Sequence, residues 1–198
     1  MKGDWKAAEK LVQEHENISL LDVISKDRKE TALHIATRFN NTAFVKKLMP
    51  QLTENDLEAK NIYGNTPLCI AAMTGAADIA KLMVDRHEEL VLKRGSGNAL
   101  PLLIAARYKQ FHMVSYLLKA MNSHIKKLND TDKKEILFSV ISSNDYDIAL
   151  LILKENDHLA LERDDNDNTP LHIMAKKSNG TIGTKNKLTD WQSSINKC

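Results

Sequence analysis

The chain is poor in cysteine: of its 198 residues only Cys69 and Cys198 are cysteines. Two are too few for a disulfide framework, and the pair reads as reduced thiols of a cytosolic protein. Long apolar runs are missing as well. The longest uncharged stretch, Asn61 to Ala77, contains Asn, Thr, Gly and Pro and would not span a bilayer. The first ten residues, MKGDWKAAEK, carry charges but no apolar core, so they do not form a secretory signal. Charge of one sign is also lacking. The net charge is +2, which leaves no global basic field to hold the chain on a nucleic acid.

What the sequence does hold is one phrase written several times. TALHIA starts at Thr31, TPLCIA at Thr66, LPLLIA at Leu100 and TPLHIM at Thr169. The first three starts are 35 and 34 residues apart, and the last gap is about twice that. A degenerate copy is therefore expected near residue 135, and EILFSVISSNDYDIALLIL from Glu135 lines up with LPLLIAARYKQFHMVSYLL from Leu100. Repetition at this period means that each unit is one supersecondary element stacked on its neighbours.

Each copy has the same plan. A polar turn (NIYGN, GSGNA, DDNDN) leads into a short apolar helix, a break and a second helix such as ADIAKLMV or FHMVSYLL. Thr offers its hydroxyl as N-cap of the first helix, and Pro in the first turn lacks an N–H that would have no partner there. The pairs Ala71–Ala72 and Ala105–Ala106 allow helices to approach closely, and Gly75 suits a tight interhelical turn. This plan resembles the ankyrin repeat over residues 20 to 175, with copies one or two residues longer than the usual 33. The resemblance implies an all-α fold, a solenoid of stacked helix-turn-helix hairpins with β-turn fingers.

At the N-terminus GDWKAAEKLV, residues 3–12, aligns with the second helix of a repeat, so residues 1–19 read as a repeat entered midway. Residues 20–177 then hold five repeats. At the C-terminus SNGTIGTKNK interrupts the last repeat. Within 178–198, Leu188, Trp191 and Ile195 fall at helical spacing and could cap the stack. GDWKAAEKLV followed by KETALHIATRFNNTAFVKKLM is similar to plant ankyrin-repeat proteins that carry a C-terminal PGG membrane domain. That resemblance implies stress or defence signalling on the cytosolic side of a membrane. The chain departs from the family in containing neither a PGG motif nor a transmembrane helix.

The residues that tempt a chemical reading do not assemble a site. His34 and His172 share the fourth place of the phrase but lie four repeats apart. With helices packing at about 8–10 Å, they are expected roughly 30–40 Å from each other. Each is better read as bonded within its own turn. Asp164, Asn166 and Asn168 open like a calcium loop, but its sixth and twelfth positions are Thr169 and Ala175 where Gly and Glu are needed. GSGNA lacks the Lys-Thr of a phosphate loop. Ser142, Ser143 and Asp145 fall at a turn. No cofactor, no metal site and no enzyme activity are expected. The sequons at Asn17, Asn40, Asn129 and Asn179 read as accidents of composition without a signal peptide. The basic tail, five Lys to one Asp over residues 176–198, reads as solvated.

Function on such a body is recognition of another protein in the cytoplasm, through a concave face of turns and first helices. The implied partner-binding residues are Arg28, Arg38, Phe39, Ile62, Tyr63, Asn65, Met73, Arg107 and Tyr108, together with Asp27, Glu30, Thr74 and Ser96. Aromatic, Met and Arg side chains gather there, as they do in interface cores. The competing expectation for Phe39 and Tyr108 is that they pack inward at the helix–helix turn. The alternative function is a regulatory, self-associating domain of a multi-pass PGG-type membrane protein. The copy at Glu135 lacks Thr, Pro and the small sixth residue and follows a polar segment, 122–134, so it should open first in a roughly additive stack. Hydrogen exchange is expected to be faster across 122–145 than across 66–84; equal protection would contradict this.

Overall fold

The computed structural model describes residues 23–178 except 26, 122, 126, 127 and 145. The segments expected to form a half-repeat at 1–19 and a cap at Leu188, Trp191 and Ile195 lie outside the described residues. The chain divides between Met121 and Asn122 into two compact units.

In the first unit β1 (Val23–Ser25) pairs antiparallel with β2 (Glu30–Thr31), Val23 opposite Thr31. Then follow α1 (Ala32–Arg38), α2 (Thr42–Leu48), α3 (Glu54–Glu58), α4 (Pro67–Thr74), α5 (Ala77–Arg86), α6 (Pro101–Arg107) and α7 (Phe111–Ala120). Helices α1, α4 and α6 pack in one row, while α2, α5 and α7 form a second. In the second unit α8 (Asp130–Ser142) packs on α9 (Tyr146–Glu155) and on α10 (Pro170–Ser178). Apart from the short β1–β2 pairing, the described residues are helices and turns, the all-α class that the repeat implies.

The recurring phrase works as local physics requires. The hydroxyls of Thr31, Thr66 and Thr169 accept the N–H groups of His34, Cys69 and His172, while Pro67, Pro101 and Pro170 sit where no helical N–H partner exists. Between the two helices of a copy one residue takes a left-handed conformation, and it recurs at Asn40, Gly75, Lys109 and Asn144. A second left-handed residue turns the finger, at Lys29, Gly64, Asn98 and Asp167. Leu33, Leu68, Ile70, Leu102 and Ile104 of the first row meet Leu48, Ile79, Met83 and Leu118 of the second in a closed core. Each such side chain contributes about 1.5–3 kcal/mol on burial. Ala71, Ala72 and Ala105 are fully buried, which is how the first-row helices come so close.

The copy at Glu135 departs from the plan. Its first helix begins six residues earlier than the phrase places it, at Asp130, because Asn129 caps it by accepting the N–H of Asp132 at 2.8 Å. Asp130 and Asp132 in the first turn also suit the positive end of the helix dipole. The position that turns a finger elsewhere is here Lys133, inside α8, where its ammonium donates to Asn156 Oδ1 at 2.9 Å. This copy therefore has no finger.

A buried polar seam ties neighbouring copies of the first unit together. The Asn61 side-chain oxygen accepts the N–H groups of Tyr63 and Asn65, closing the second finger. Asn65 Oδ1 accepts the Ser96 N–H of the third finger at 2.8 Å, and its carbonyl accepts from His34 Nε2 of the first copy at 3.1 Å. His34 Nδ1 faces the N–H and hydroxyl of Thr31 at 3.3 and 2.8 Å, which fixes the neutral tautomer with the proton on Nε2. Gly95 passes so near this seam that a Cβ there would lie 2.6 Å from Asn65 Oδ1 and 2.7 Å from Cys69 Sγ.

Two predictions follow from the seam. Burial pushes the His34 pKa below its ordinary 6.5, outweighing the pull of the Asn65 carbonyl. The unfolded chain therefore takes up the proton first, and stability that is complete above pH ~6.5 is lost as pH falls below that value. The melting temperature is expected to drop between pH 7 and 5, and His34→Leu should flatten that window; an unchanged slope in the variant would refute the assignment. Gly95→Ala should destabilise the chain by about 1–3 kcal/mol through overpacking, measured by urea denaturation, whereas Gly97→Asn, at an open left-handed tip, should cost far less.

Candidate partner-binding surface

The fingers of the first unit stand side by side. The Ile62 N–H donates to the Arg28 carbonyl at 3.0 Å, and the Ser96 N–H donates to Asn65 Oδ1, so three successive fingers are joined by hydrogen bonds. The C-terminal ends of the first-row helices are linked too, because Gln110 Nε2 donates to the Met73 carbonyl at 3.2 Å. Long side chains run back from the helix ends to the fingers. Arg38 pairs with Glu30, and the Arg107 guanidinium lies 3.8 Å from where a Cβ on Gly97 would stand. Fingers and helix ends thus bound one continuous surface of this unit.

The structure sorts the expected binding residues into two groups. Phe39 is 60% exposed, Tyr63 57%, Tyr108 56% and Ile62 49%. Phe39 and Tyr108 therefore do not pack inward; each caps its helix at a turn whose next residue is left-handed, and that turn throws the ring outward. Asp27, Arg28, Thr74 and Arg107 are also exposed, and Met73 and Ser96 are half-buried. Asn65 is different: it is only 4% exposed, and its amide oxygen, carbonyl and N–H are all engaged within the seam, so it builds the fingers and does not face a partner. Glu30 is likewise buried, holding Arg38 and accepting from Asn61 Nδ2 at 3.4 Å. Arg38 is spent largely on that internal pair. Phe111, 52% exposed at the start of α7, belongs to the outward aromatic set but was not among the expected residues. Its signal was available in the alignment, where the first two copies hold the small residues Thr42 and Ala77 at that place and the copy at Glu135 holds Tyr146.

The remaining reactive groups are occupied or shielded. Asp164 Oδ1 accepts the N–H groups of Asn166 and Asn168 at 2.9 and 2.8 Å, and the Asn168 N–H chiefly holds its carboxyl below the ordinary value. The calcium-like run is thus the last finger. Burial pushes the Cys69 thiol up, and its Sγ sits 3.3 Å from the Thr66 hydroxyl. Along the second row an open cleft of about 590 Å³ is lined by Val84, Asp85, Arg86, Glu88, Tyr116 and Lys119. Burial, with a smaller push from Asp85, raises Tyr116 to about 12, so its phenol stays protonated. Among the described residues no group of three His, Cys, Asp or Glu side chains could hold a metal ion, and no helix is long and apolar enough to cross a membrane.

Residues 1–94 match the family described as ankyrin repeats (3 copies). The chain is 32% identical over 74 residues to an ankyrin repeat protein of Rickettsia bellii, covering 37% of this chain and 44% of that one. It is 26% identical over 146 residues to human neurogenic locus notch homolog protein 1, covering 73% of this chain and 5% of that protein. The chain thus spans less than half of either curated relative. Its fold is similar to a chain in the crystal structure of the yeast ribosomal protein Rps3 in complex with its chaperone Yar1. There the TM-score is 0.51 at 21% identity, over 58% of this chain and 82% of that one. Residues 1–94 thus carry the ankyrin-repeat match, the stacked hairpins beyond them continue its period, and such repeats are generally protein-binding modules and typically not catalytic.

Proposed function

We propose that the chain is a protein-interaction module, and that its partner docks on the finger and helix-end surface of the first unit. The observation that carries this reading is the outward placement of Phe39, Ile62, Tyr63 and Tyr108 on adjacent copies. The polar groups behind them, Asn61, Asn65 and Glu30, are spent holding the frame rigid. Aromatic anchors on a rigid support lose little entropy on binding, and a few of them usually carry most of the affinity. The Yar1–Rps3 complex is an example of a protein partner held in an assembly containing this fold. The work is that of an adaptor, with no reaction of its own.

A narrower reading rests on sequence alone, on residues 3–12 and 29–49 and on the interrupted last repeat with Trp191 after it: an adaptor in plant stress or defence signalling, in the cytoplasm or at the cytosolic face of a membrane in a longer PGG-type protein. Self-association is the corresponding alternative for that longer form.

Affinity capture with the chain as bait, followed by mass spectrometry, supplies the partner, and variants locate it. Tyr63→Ala and Arg107→Ala should each weaken binding of the captured protein by about 1–3 kcal/mol, and Tyr63→Ala should leave the melting curve nearly unchanged. Lys46→Ala and Lys81→Ala, exposed on the second row, should do neither. If the lysine changes weaken binding and the finger changes do not, the partner uses the second row and the proposed surface is wrong.

A further inference from the structure

The geometry points to an acidic polypeptide segment with interspersed apolar side chains as the occupant of the finger and helix-end surface; this rests on the binding reading above and adds the chemistry of the partner. The first support is charge. On this surface Arg28, Lys29, Lys60 and Lys109 are exposed cations, whereas its carboxylates are Asp27, exposed, and Glu30, buried against Arg38. The unit's other described carboxylates stand on other elements, at Glu54, Asp56 and Glu58 of α3, at Asp78 and Asp85 of α5 and at Glu88 and Glu89 after it. The neighbouring Lys93 is turned onto Glu58 at 2.8 Å. A chain of nearly balanced charge thus presents its outward aromatics within a rim where four exposed cations face one exposed carboxylate, the arrangement that selects partners of opposite charge and speeds their encounter.

The second support is conformational and independent of the first. Lys29, at the tip of the first finger, has φ 51°, and Lys109, beside Tyr108, has φ 58°. The same places in the other copies hold Gly64, Asn98 and Asp167, and Asn40, Gly75 and Asn144, residues that enter the left-handed region at least cost. Two lysines therefore stand where folding alone favours Gly or Asn, and both flank the exposed rings. Local strain of this kind persists where a side chain serves something other than stability. An ammonium group at each end of the aromatic row suits a carboxylate-rich segment whose apolar side chains meet Ile62, Tyr63 and Tyr108.

The test uses the full chain and three sets of short synthetic peptides. All have equal length and equal Leu and Trp content; one set is rich in Asp and Glu, one is uncharged and one is rich in Lys. A single-stranded RNA oligonucleotide serves as a fourth probe. Fluorescence anisotropy should rank the acidic set first, with affinity falling as salt is raised. The double variant Lys29→Asn, Lys109→Asn should bind that set about 3- to 20-fold more weakly. Its melting temperature should nevertheless rise by about 1–4 °C, a combination that a purely structural role for the lysines would not give. Equal binding of the uncharged or basic set, still lost in Tyr63→Ala, overturns the acidic class while leaving the binding surface in place. Tighter binding of RNA overturns it in favour of a nucleic acid, and self-association abolished by Tyr63→Ala overturns it in favour of a second copy. No binding of any probe, or binding indifferent to Tyr63→Ala, overturns the acidic class and the binding surface together.

Discussion

Asn65 joins three consecutive copies of the repeat, and the arrangement of the first unit depends on it. Its carbonyl receives the His34 ring of the copy before, its amide oxygen receives the Ser96 N–H of the copy after, and its own N–H closes the finger through Asn61. A helical hairpin of this size cannot bury its apolar face alone, so each copy is stable only through its neighbours. The apolar rows supply most of that stabilisation, but they are tolerant of sliding. Directional bonds fix the register, because a polar group buried without its partner costs about 1–3 kcal/mol. Fingers held at fixed spacing are the consequence, and a surface assembled from several fingers needs that spacing.

The same constraint divides labour within each copy. Residues at the base of a finger are consumed internally: Asn61, Asn65 and Glu30 in the first unit, and Asp164 with Asn168 in the second. Arg94 and Arg163 add a further clasp, each donating from Nη1 to the carbonyl four residues on, Asn98 and Asp167, at 2.9 Å. Tips and helix ends are left free to vary without disturbing the frame. Recognition can therefore be altered at residues such as Tyr63 or Tyr108 while the stacking remains intact, which is the physical reason such arrays serve as binding modules.

The period of 34 or 35 residues, the Thr and Pro caps and the glycine turn at Gly75 were all legible in the sequence, because each is set by local backbone chemistry. Period alone does not say which polar atoms are consumed. Asn65 and Arg38 stand at finger and helix-end positions like their exposed neighbours, and only the bonds to Ser96 and Glu30 reveal that they are engaged within the chain. Phe39 and Tyr108 show the opposite limit. Their ring size favours burial on average, yet the left-handed residues Asn40 and Lys109 reverse the chain immediately after them and leave them outside. The start of α8 was missed for a different reason: Asn129 is a strong cap, and it outcompetes the weak copy of the phrase at Glu135.

That early start also limits the proposed recognition surface. Finger tips occur at Lys29, Gly64 and Asn98, at successive spacings of 35 and 34 residues, and the next expected tip is Lys133. There the chain is already helical, so no turn projects, and the lysine is held by Asn156 instead of facing solvent at a tip. The finger at Asp167 follows only after this gap. An unbroken run of fingers is thus confined to the first unit, where Ile62 and Tyr63 occupy the central one. A partner that reads consecutive fingers must read Arg28 and Lys29, then Ile62 and Tyr63, then the tip at Gly97 and Asn98, with the ring of Tyr108 beside it. On the proposed surface such a partner would meet two cationic positions, one apolar and aromatic centre and one small, open end.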